Sequence, residues 1–382
     1  NVVKFLSKAN GAMTIPEIAE IIDESVPTVS ALVSELVDGN WVVSQGKKET
    51  EFGRKPNVYY INTDRLFSVG VMINFENLQL VIIDVNLKIV YENSKKDFSL
   101  ENNEASLNHL VAFVKQCTAE FGIGADKMIG IGVGITGRVN TRKGITHSFY
   151  NFMDTPLKEY LEKEFDVRVH LENDTRVTGI AEQAFGKGKS LKNALFVNVD
   201  KGLGLCMVIN NKLLTGSNGY AGEFGHMQFG DKSRICICGK QGCFGTEVSG
   251  YALQLDMKEA LSNGSRSLYF QEPNDVGSYL EIIKASQKGD HLSIELIQNQ
   301  GIKLGEALGN VLNLLNPKNI IICGRFINAG DLFLDAIKMG LKKTTLIRVL
   351  EKCQVELSEL DANINAQGAA SLVLKKNDLI TI

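Results

Sequence analysis

The sequence predicts an α/β protein with two similar lobes, preceded by a small helical module that carries a hairpin wing. Two observations carry this reading. Strand-like runs over 67–74, 78–85 and 88–94 lead into a helical stretch over about 103–121 and an apolar strand over 128–135. The same βββαβ order recurs, with runs over 194–200, 204–210 and 212–214, intervening helices, and a buried strand over 319–323 that ends at Gly324. The first sixty residues differ from both repeats. The expected domains are therefore 1–63, a first lobe over 64–190 and a second over 191–382, with the last helix returning to the first lobe.

Within the N-terminal module, Thr14-Ile15-Pro16-Glu17 reads as a capping box, with Pro16 tolerated in the first helical turn. Ile18, Ala19, Ile21 and Ile22 continue that helix. After a turn at Asp23 and Glu24, Ser25 caps a second helix whose Val29, Leu32, Val33, Leu36 and Val37 share one face, and Gly39 ends it. Two short helices and a tight turn make a helix-turn-helix. The runs Trp41-Val42-Val43 and 57–61, joined by SQGKKETEFGRKP, form a hairpin placed as a wing. In a DNA complex the second helix would present Thr28, Ser30, Ala31 and Ser34 to the major groove, while Arg54 and Lys55 reach phosphates or the minor groove. Residues 1–63 hold six Lys/Arg against eight Asp/Glu, so positive charge is confined to the wing. A protein-docking module is the competing reading.

The composition sets outer limits. With 382 residues, 44% hydrophobic and 22% charged, the chain can build a sizeable core, and disorder is excluded as its general state. There is no run of eighteen apolar residues and no signal-peptide pattern, so no membrane partner is expected and the cytoplasm is the expected location. The chain opens on Asn1 rather than Met, which fits a trimmed start. Seven cysteines, three of them clustered, suit a reducing compartment better than a disulfide framework. A net charge of −3 decides nothing about nucleic acid.

The densest chemistry lies in residues 219–250, GYAGEFGHMQFGDKSRICICGKQGCFGTEVSG. His226, Cys236, Cys238 and Cys243 fall within eighteen residues and offer one imidazole and three thiolates to a tetrahedral ion. Four protein ligands leave no open position, so the expected metal is a structural zinc. Ordinary buried thiols are the alternative, disfavoured by three cysteines in eight residues interleaved with Gly239 and Gly242. Glu223, three residues before His226, is placed to accept hydrogen bonds from a polyhydroxylated ligand.

Together the helix-turn-helix with its GRKP wing, Glu172-Asn173-Asp174, Gly222-Glu223-Phe224-Gly225-His226 and CICGKQGC resemble the ROK family, whose name joins repressors, open reading frames and sugar kinases. The resemblance spans essentially the whole chain. It implies a two-lobed, actin-like and ribonuclease-H-like (hexokinase-type) domain, with a zinc loop that shapes a sugar site in the interlobe cleft. Asp174 matches the general base of the family's kinases, and Asn173, Glu223 and His226 match residues that contact sugar hydroxyls. Gly137, Asn151 and Glu247 complete the expected sugar contacts. Asp174 serves equally well as a plain acceptor for a bound sugar, so its presence leaves catalysis open.

The chain departs from the kinase pattern at the phosphate side. Where the kinases have Asp-x-Gly-Gly-Thr, this chain has Met72-Ile73-Asn74-Phe75-Glu76, without glycines and with an added negative charge. The second glycine-rich loop reads Asp200-Lys201-Gly202-Leu203-Gly204-Leu205-Cys206, and the adenosine-side glycine pair reads Cys323-Gly324. ATP is therefore expected to be neither bound tightly nor used. At the sugar side, Gly245 stands where the family commonly has a Glu; either Glu247 substitutes or the pocket takes a different sugar. Arg138, in Thr136-Gly137-Arg138-Val139, is either a partner for an anionic group or a solvated surface residue. The resulting expectation is a sugar-responsive transcriptional repressor, binding operator DNA as a homodimer or homotetramer. The alternative is an ATP-dependent sugar kinase with an appended DNA-binding module.

Overall fold

The computed structural model describes residues 2–8, 13–47, 56–231, 233–361 and 364–380. The chain divides into two compact units, one of residues 1–181 and 365–382, the other of residues 182–364.

The first unit opens with helices α1 (Val2–Lys8), α2 (Ile15–Ile22) and α3 (Val26–Asp38), then an antiparallel hairpin of β1 (Val42–Lys47) and β2 (Asn57–Ile61). The Thr14 amide donates to Glu17 Oε2 at 2.8 Å, and Ser25 Oγ accepts from the Thr28 amide at 3.3 Å, so both helix starts have side-chain caps. Gly39 closes α3 in a right-handed conformation (φ −72°), and the left-handed residue is Asn40 (φ 59°). Glycine is required at 39 for space, since a Cβ there would lie 2.8 Å from the Trp41 ring. Trp41 itself lies just before β1, with the Arg65 guanidinium 5.0 Å from its ring centre.

The rest of this unit is a five-stranded sheet of β3 (Phe67–Ile73), β4 (Leu78–Asp84), β5 (Ile89–Lys95), β6 (Met128–Ile135) and β9 (Val169–Asn173) in the order β5-β4-β3-β6-β9. The meander β3-β4-β5 is antiparallel, while β6 and β9 run parallel to β3. Helix α4 (Glu104–Phe121), the short strands β7 (Val139–Asn140) and β8 (Ile145–Thr146), and helix α5 (Leu157–Phe165) complete the crossovers, and α6 (Asp174–Phe185) leads away from β9. Every residue of β3 is buried, as a central strand covered on both faces requires.

The C-terminal helix α12 (Asn365–Lys376) packs on β3 and β6. Its approach explains Gly70 of β3 and Gly132 of β6, whereas Gly134 of β6 faces the Met72 and Val177 side chains. A Cβ on Gly70 would lie 1.9 Å from the Ala366 carbonyl oxygen, and one on Gly132 1.9 Å from that of Ala369. Ser68 Oγ donates to the Ala370 carbonyl at 2.6 Å on the same face. One buried apolar cluster joins this face to the N-terminal module, including Ile18, Val29 and Val33 together with Met72, Ala370 and Leu374.

The second unit repeats the topology with β10 (Ala194–Val199), β11 (Leu203–Ile209), β12 (Lys212–Leu213), β13 (Asn319–Cys323) and β14 (Gln354–Leu357), ordered β12-β11-β10-β13-β14. Again the first three strands are antiparallel and the last two parallel to the first. Its helices are α7 (Gly250–Ser262), α8 (Tyr279–Gln287), α9 (His291–Leu315), α10 (Asp331–Thr344) and the short α11 (Ile347–Leu350). Among the described residues no helix is long and apolar enough to cross a membrane.

Candidate functional site

In the first unit the expected sugar residues cluster where β9 becomes α6. Asn173 Oδ1 accepts from the Thr175 amide at 3.0 Å, which satisfies an orphan donor at the helix start. Its Nδ2 donates to the Gly137 carbonyl at 2.9 Å and to Asp174 Oδ1 at 2.8 Å, so Gly137, Asn173 and Asp174 form one hydrogen-bonded set. Beneath them Glu172 and Arg176 make a buried ion pair at 2.5 Å. The Asp174 carboxylate lies in the first turn of α6, where the helix dipole favours negative charge. Gly137 has φ +95°, and a Cβ there would meet the Ser148 side chain at 2.6 Å.

Asn151 has a partner of its own. It and Asn102 grip one another, with Asn102 Nδ2 donating to Asn151 Oδ1 at 2.6 Å and the Asn151 amide donating to Asn102 Oδ1 at 3.0 Å. A cavity of about 220 Å³ lies here, lined in part by His147, Tyr150, Asn151, Asp154 and Thr155. Tyr150 has φ 53°, and burial pushes its hydroxyl up to about 12 despite a 3.0 Å hydrogen bond with Ser106. A left-handed tyrosine is costly, and surrounding packing must hold it there.

In the second unit a turn over Phe224–His226 carries Glu223 and His226. Gly222 (φ +92°) starts it, close enough to β11 that a Cβ would lie 2.0 Å from the Leu205 carbonyl oxygen. His226 Nδ1 is 3.6 Å from Cys236 Sγ, Cys238 Sγ is 3.6 Å from Cys243 Sγ, and the four ligand atoms lie within 4.8 Å of one another. Two thiolates on one tetrahedral ion at zinc–sulfur distances stand about 3.8 Å apart, so the cluster fits a metal. Burial and the neighbouring Cys238 and Cys236 push the Cys243 thiol up to about 12, a crowding that a cation would relieve. With Nδ1 facing the cysteines, His226 Nε2 faces Glu223 Oε2 at 3.7 Å. Glu247 is buried and pairs with Lys303 at 2.6 Å, and its other oxygen accepts from the Asp231 amide at 3.3 Å. A Cβ on Gly245 would sit 3.3 Å from the Gly225 carbonyl oxygen, a tight but nearly tolerable contact.

Of the segments aligned with phosphate loops, the first is closed on itself and the second is tied to distant residues. Met72 is buried, and the hairpin after β3 is tied by the Asn74 amide to the Asn77 carbonyl at 3.0 Å and by Asn74 Nδ2 to Asn77 Oδ1 at 2.6 Å. At the corresponding corner after β10, Asp200 receives Arg325 Nε at 2.9 Å, Arg325 Nη2 at 2.5 Å and the Tyr279 hydroxyl at 2.6 Å. Burial alone would raise the Asp200 carboxyl; the Arg325 guanidinium, helped by Tyr279 and the Lys201 amide, outweighs it and holds the carboxyl below its ordinary value. Sequence reasoning missed Arg325 and Tyr279. The only available signal was the cation directly following Cys323-Gly324.

On α3, Thr28, Ser30, Ala31 and Ser34 are all exposed, although the Thr28 hydroxyl is shared with Ser25 at 2.7 Å. Arg54 and Lys55 lie outside the described residues.

Two sheets of one strand order, a polar helix start after the fifth strand of one and a His/Cys3 knuckle in the other define a duplicated α/β protein. The ROK family model matches residues 68–376, and the chain belongs to the ROK family. It is 24% identical over 368 residues to a xylose repressor of Caldicellulosiruptor bescii, covering 96% of this chain and 92% of the relative. Among solved structures, a ROK family transcriptional regulator described as a homologue of the Escherichia coli Mlc protein superposes with a TM-score of 0.82 at 22% identity, over 99% of this chain and 96% of that one. The ROK hexokinase of Thermus thermophilus shares the fold with a TM-score of 0.66 at 22% identity, over 81% of this chain and 100% of the hexokinase.

Proposed function

We propose that this chain is a sugar-responsive transcriptional repressor of the cytoplasm. Its N-terminal module acts as a winged helix-turn-helix, with α3 as the recognition helix and Arg54 and Lys55 in the wing. A homodimer or homotetramer places two such helices on operator half-sites about one helical turn apart. The effector is a sugar or sugar derivative, for which Gly137, Asn151, Asn173 and Asp174 in the first unit and Glu223, His226 and Glu247 in the second are the candidate contacts. The knuckle holds one structural zinc per chain. The effector prefers the DNA-incompetent state, and coupling of this kind is typically about 1–3 kcal/mol.

The observation that carries this reading is a contrast in polar groups. Asn173 and Asp174 are organised at a helix start, while Asp200 and the 74–77 hairpin spend their polar groups on Arg325, Tyr279 and each other. The named repressor and regulator relatives, which extend over the N-terminal module, support it further. Asp174 in the first turn of α6 favours the competing kinase reading. The test is a gel shift with DNA from around the gene, titrated with pentoses, hexoses and their phosphates, beside a phosphorylation assay with ATP and magnesium. Retardation released by one sugar class supports the repressor. Phosphorylation abolished by Asp174→Asn, without any DNA retardation, replaces it with the kinase.

A further inference from the structure

The knuckle's tip cannot be held by apolar burial. Ile235 and Ile237, which flank Cys236, are 67% and 92% exposed, and among the described residues no helix and only isolated β-bridges run between His226 and Phe244. Ordering a segment of this length costs conformational entropy that something must offset. The ligand set offsets part of it when a metal is bound.

A second tie is built from protein alone. Arg234, two residues before Cys236, has a side chain only 19% exposed. Its Nη1 contacts Asp256 Oδ1 at 2.7 Å and donates to the Thr246 carbonyl at 3.0 Å, and its Nη2 donates to Glu259 Oε2 at 2.9 Å. Thr246 lies three residues after Cys243, so one guanidinium spans both arms of the knuckle and fixes them to α7. The second oxygen of Asp256 accepts from Gln300 Nε2 at 2.9 Å, and the fully buried Gln300 accepts in turn from the Ser249 amide at 3.2 Å. Ser249 Oγ closes the circuit on the Gly245 carbonyl at 2.7 Å.

We infer that Arg234 is the positioning residue of the metal loop: its fork on Asp256, Glu259 and the Thr246 carbonyl sets the course of the loop independently of the ion. Its planar donors suit this task in a way that an ammonium cannot reproduce. The fork preorganises Cys236 against Cys243, and through the same loop it fixes where His226 presents Nε2 to Glu223. The part that concerns metal retention rests on the zinc reading; the part that concerns the loop's own order does not.

The test uses the full-length protein, as wild type, Arg234→Ala, Arg234→Lys and Glu259→Gln. Zinc-loaded protein is mixed with a colorimetric chelator, and hydrogen exchange of residues 235–243 is measured on chelator-stripped protein. Loss of a partner bonded directly to a metal ligand typically weakens a site by roughly 10–100-fold, and Arg234 acts one step further out, through the loop. Arg234→Ala is expected to release zinc about tenfold faster or more, Arg234→Lys to be intermediate, and Glu259→Gln to be close to wild type. The stripped wild type retains exchange protection that Arg234→Ala loses. Equal zinc release by wild type and Arg234→Ala, or equal exchange in the stripped proteins, overturns the inference. A wild type that never holds zinc defeats the metal reading and leaves the exchange comparison to decide for or against Arg234. Should Arg234→Ala not fold, the same comparison with Arg234→Lys decides it.

Discussion

The two sheets share one strand order but close the turn after their first strand differently. After β3, a short hairpin is sealed by two asparagines, Asn74 and Asn77, four residues from end to end. After β10, Asp200 is sealed by Arg325, 125 residues away, and by Tyr279, 79 residues away. The first solution is local, neutral and independent of packing. The second depends on the helices of its unit being in place, and it puts a partly buried charge at stake. A duplicated topology therefore fixes where a turn will be without fixing what fills it.

Coverage of the sheets differs as well. The first sheet admits α12 against glycines, whereas the interior of β10 carries Leu195, Phe196 and Val197, all fully buried. The largest expected effect follows from this. Gly132→Val places a side chain into the α12 backbone and should cost on the order of 4 kcal/mol or more, seen as loss of cooperative urea unfolding of the first unit. Near-normal stability would mean that α12 does not sit on β6 at this distance.

Arg325→Ala comes next. Stripping a partner from a fully buried pair costs roughly 3–5 kcal/mol, but the Arg325 side chain is 42% exposed, so about 1–3 kcal/mol is expected in denaturant melts. Because the folded Asp200 carboxyl lies below its ordinary value, its contribution is present above about pH 4 and disappears as the pH falls through the folded value. The destabilisation by Arg325→Ala should therefore shrink in strong acid.

The units should also separate by pH. In the first unit, burial, with Lys376 and Lys158 nearby, pushes His170 down to about 4. The unfolded chain then binds a proton first, so this unit loses stability as the pH falls from about 6.5 towards 4. In the second unit, burial raises the Glu182 carboxyl despite its bonds to Ser358 and the Lys187 amide, so acid relieves a penalty there. Trp41, the single tryptophan, reports on the first unit. Its emission should change at a higher pH than the bulk of the far-ultraviolet dichroism, and His170→Gln should narrow the gap. Smallest of all, Asn77→Ala should cost about 0.5–1.5 kcal/mol and leave the second unit unchanged, as read from thermal melts.

What was legible in the chain was local. Apolar runs of strand length gave the strands over 128–135 and 319–323 to the residue, because a buried strand needs little beyond its own side chains. The caps at Thr14 and Ser25 were readable because a cap and its amide lie within one turn. Likewise, the four residues that could hold a metal fall on one short loop. The helix α1 and the fifth strands β9 and β14 were not assigned, since each is short and takes its stability from neighbours distant in sequence.

By itself, then, the sequence determined the repeated βββαβ succession, the helix starts and the donor set of the knuckle, all set by interactions between residues near one another along the chain. Only the tertiary structure decided that Glu247 faces Lys303, that Asn151 is gripped by Asn102, that Gly132 of β6 receives α12, and that Asp200 is held by Arg325. Those pairings join residues from 49 to more than 200 positions apart. Periodicity and spacing carry no information about which distant groups meet; packing chooses them, because each buried polar group must find a partner and each close approach must find a glycine.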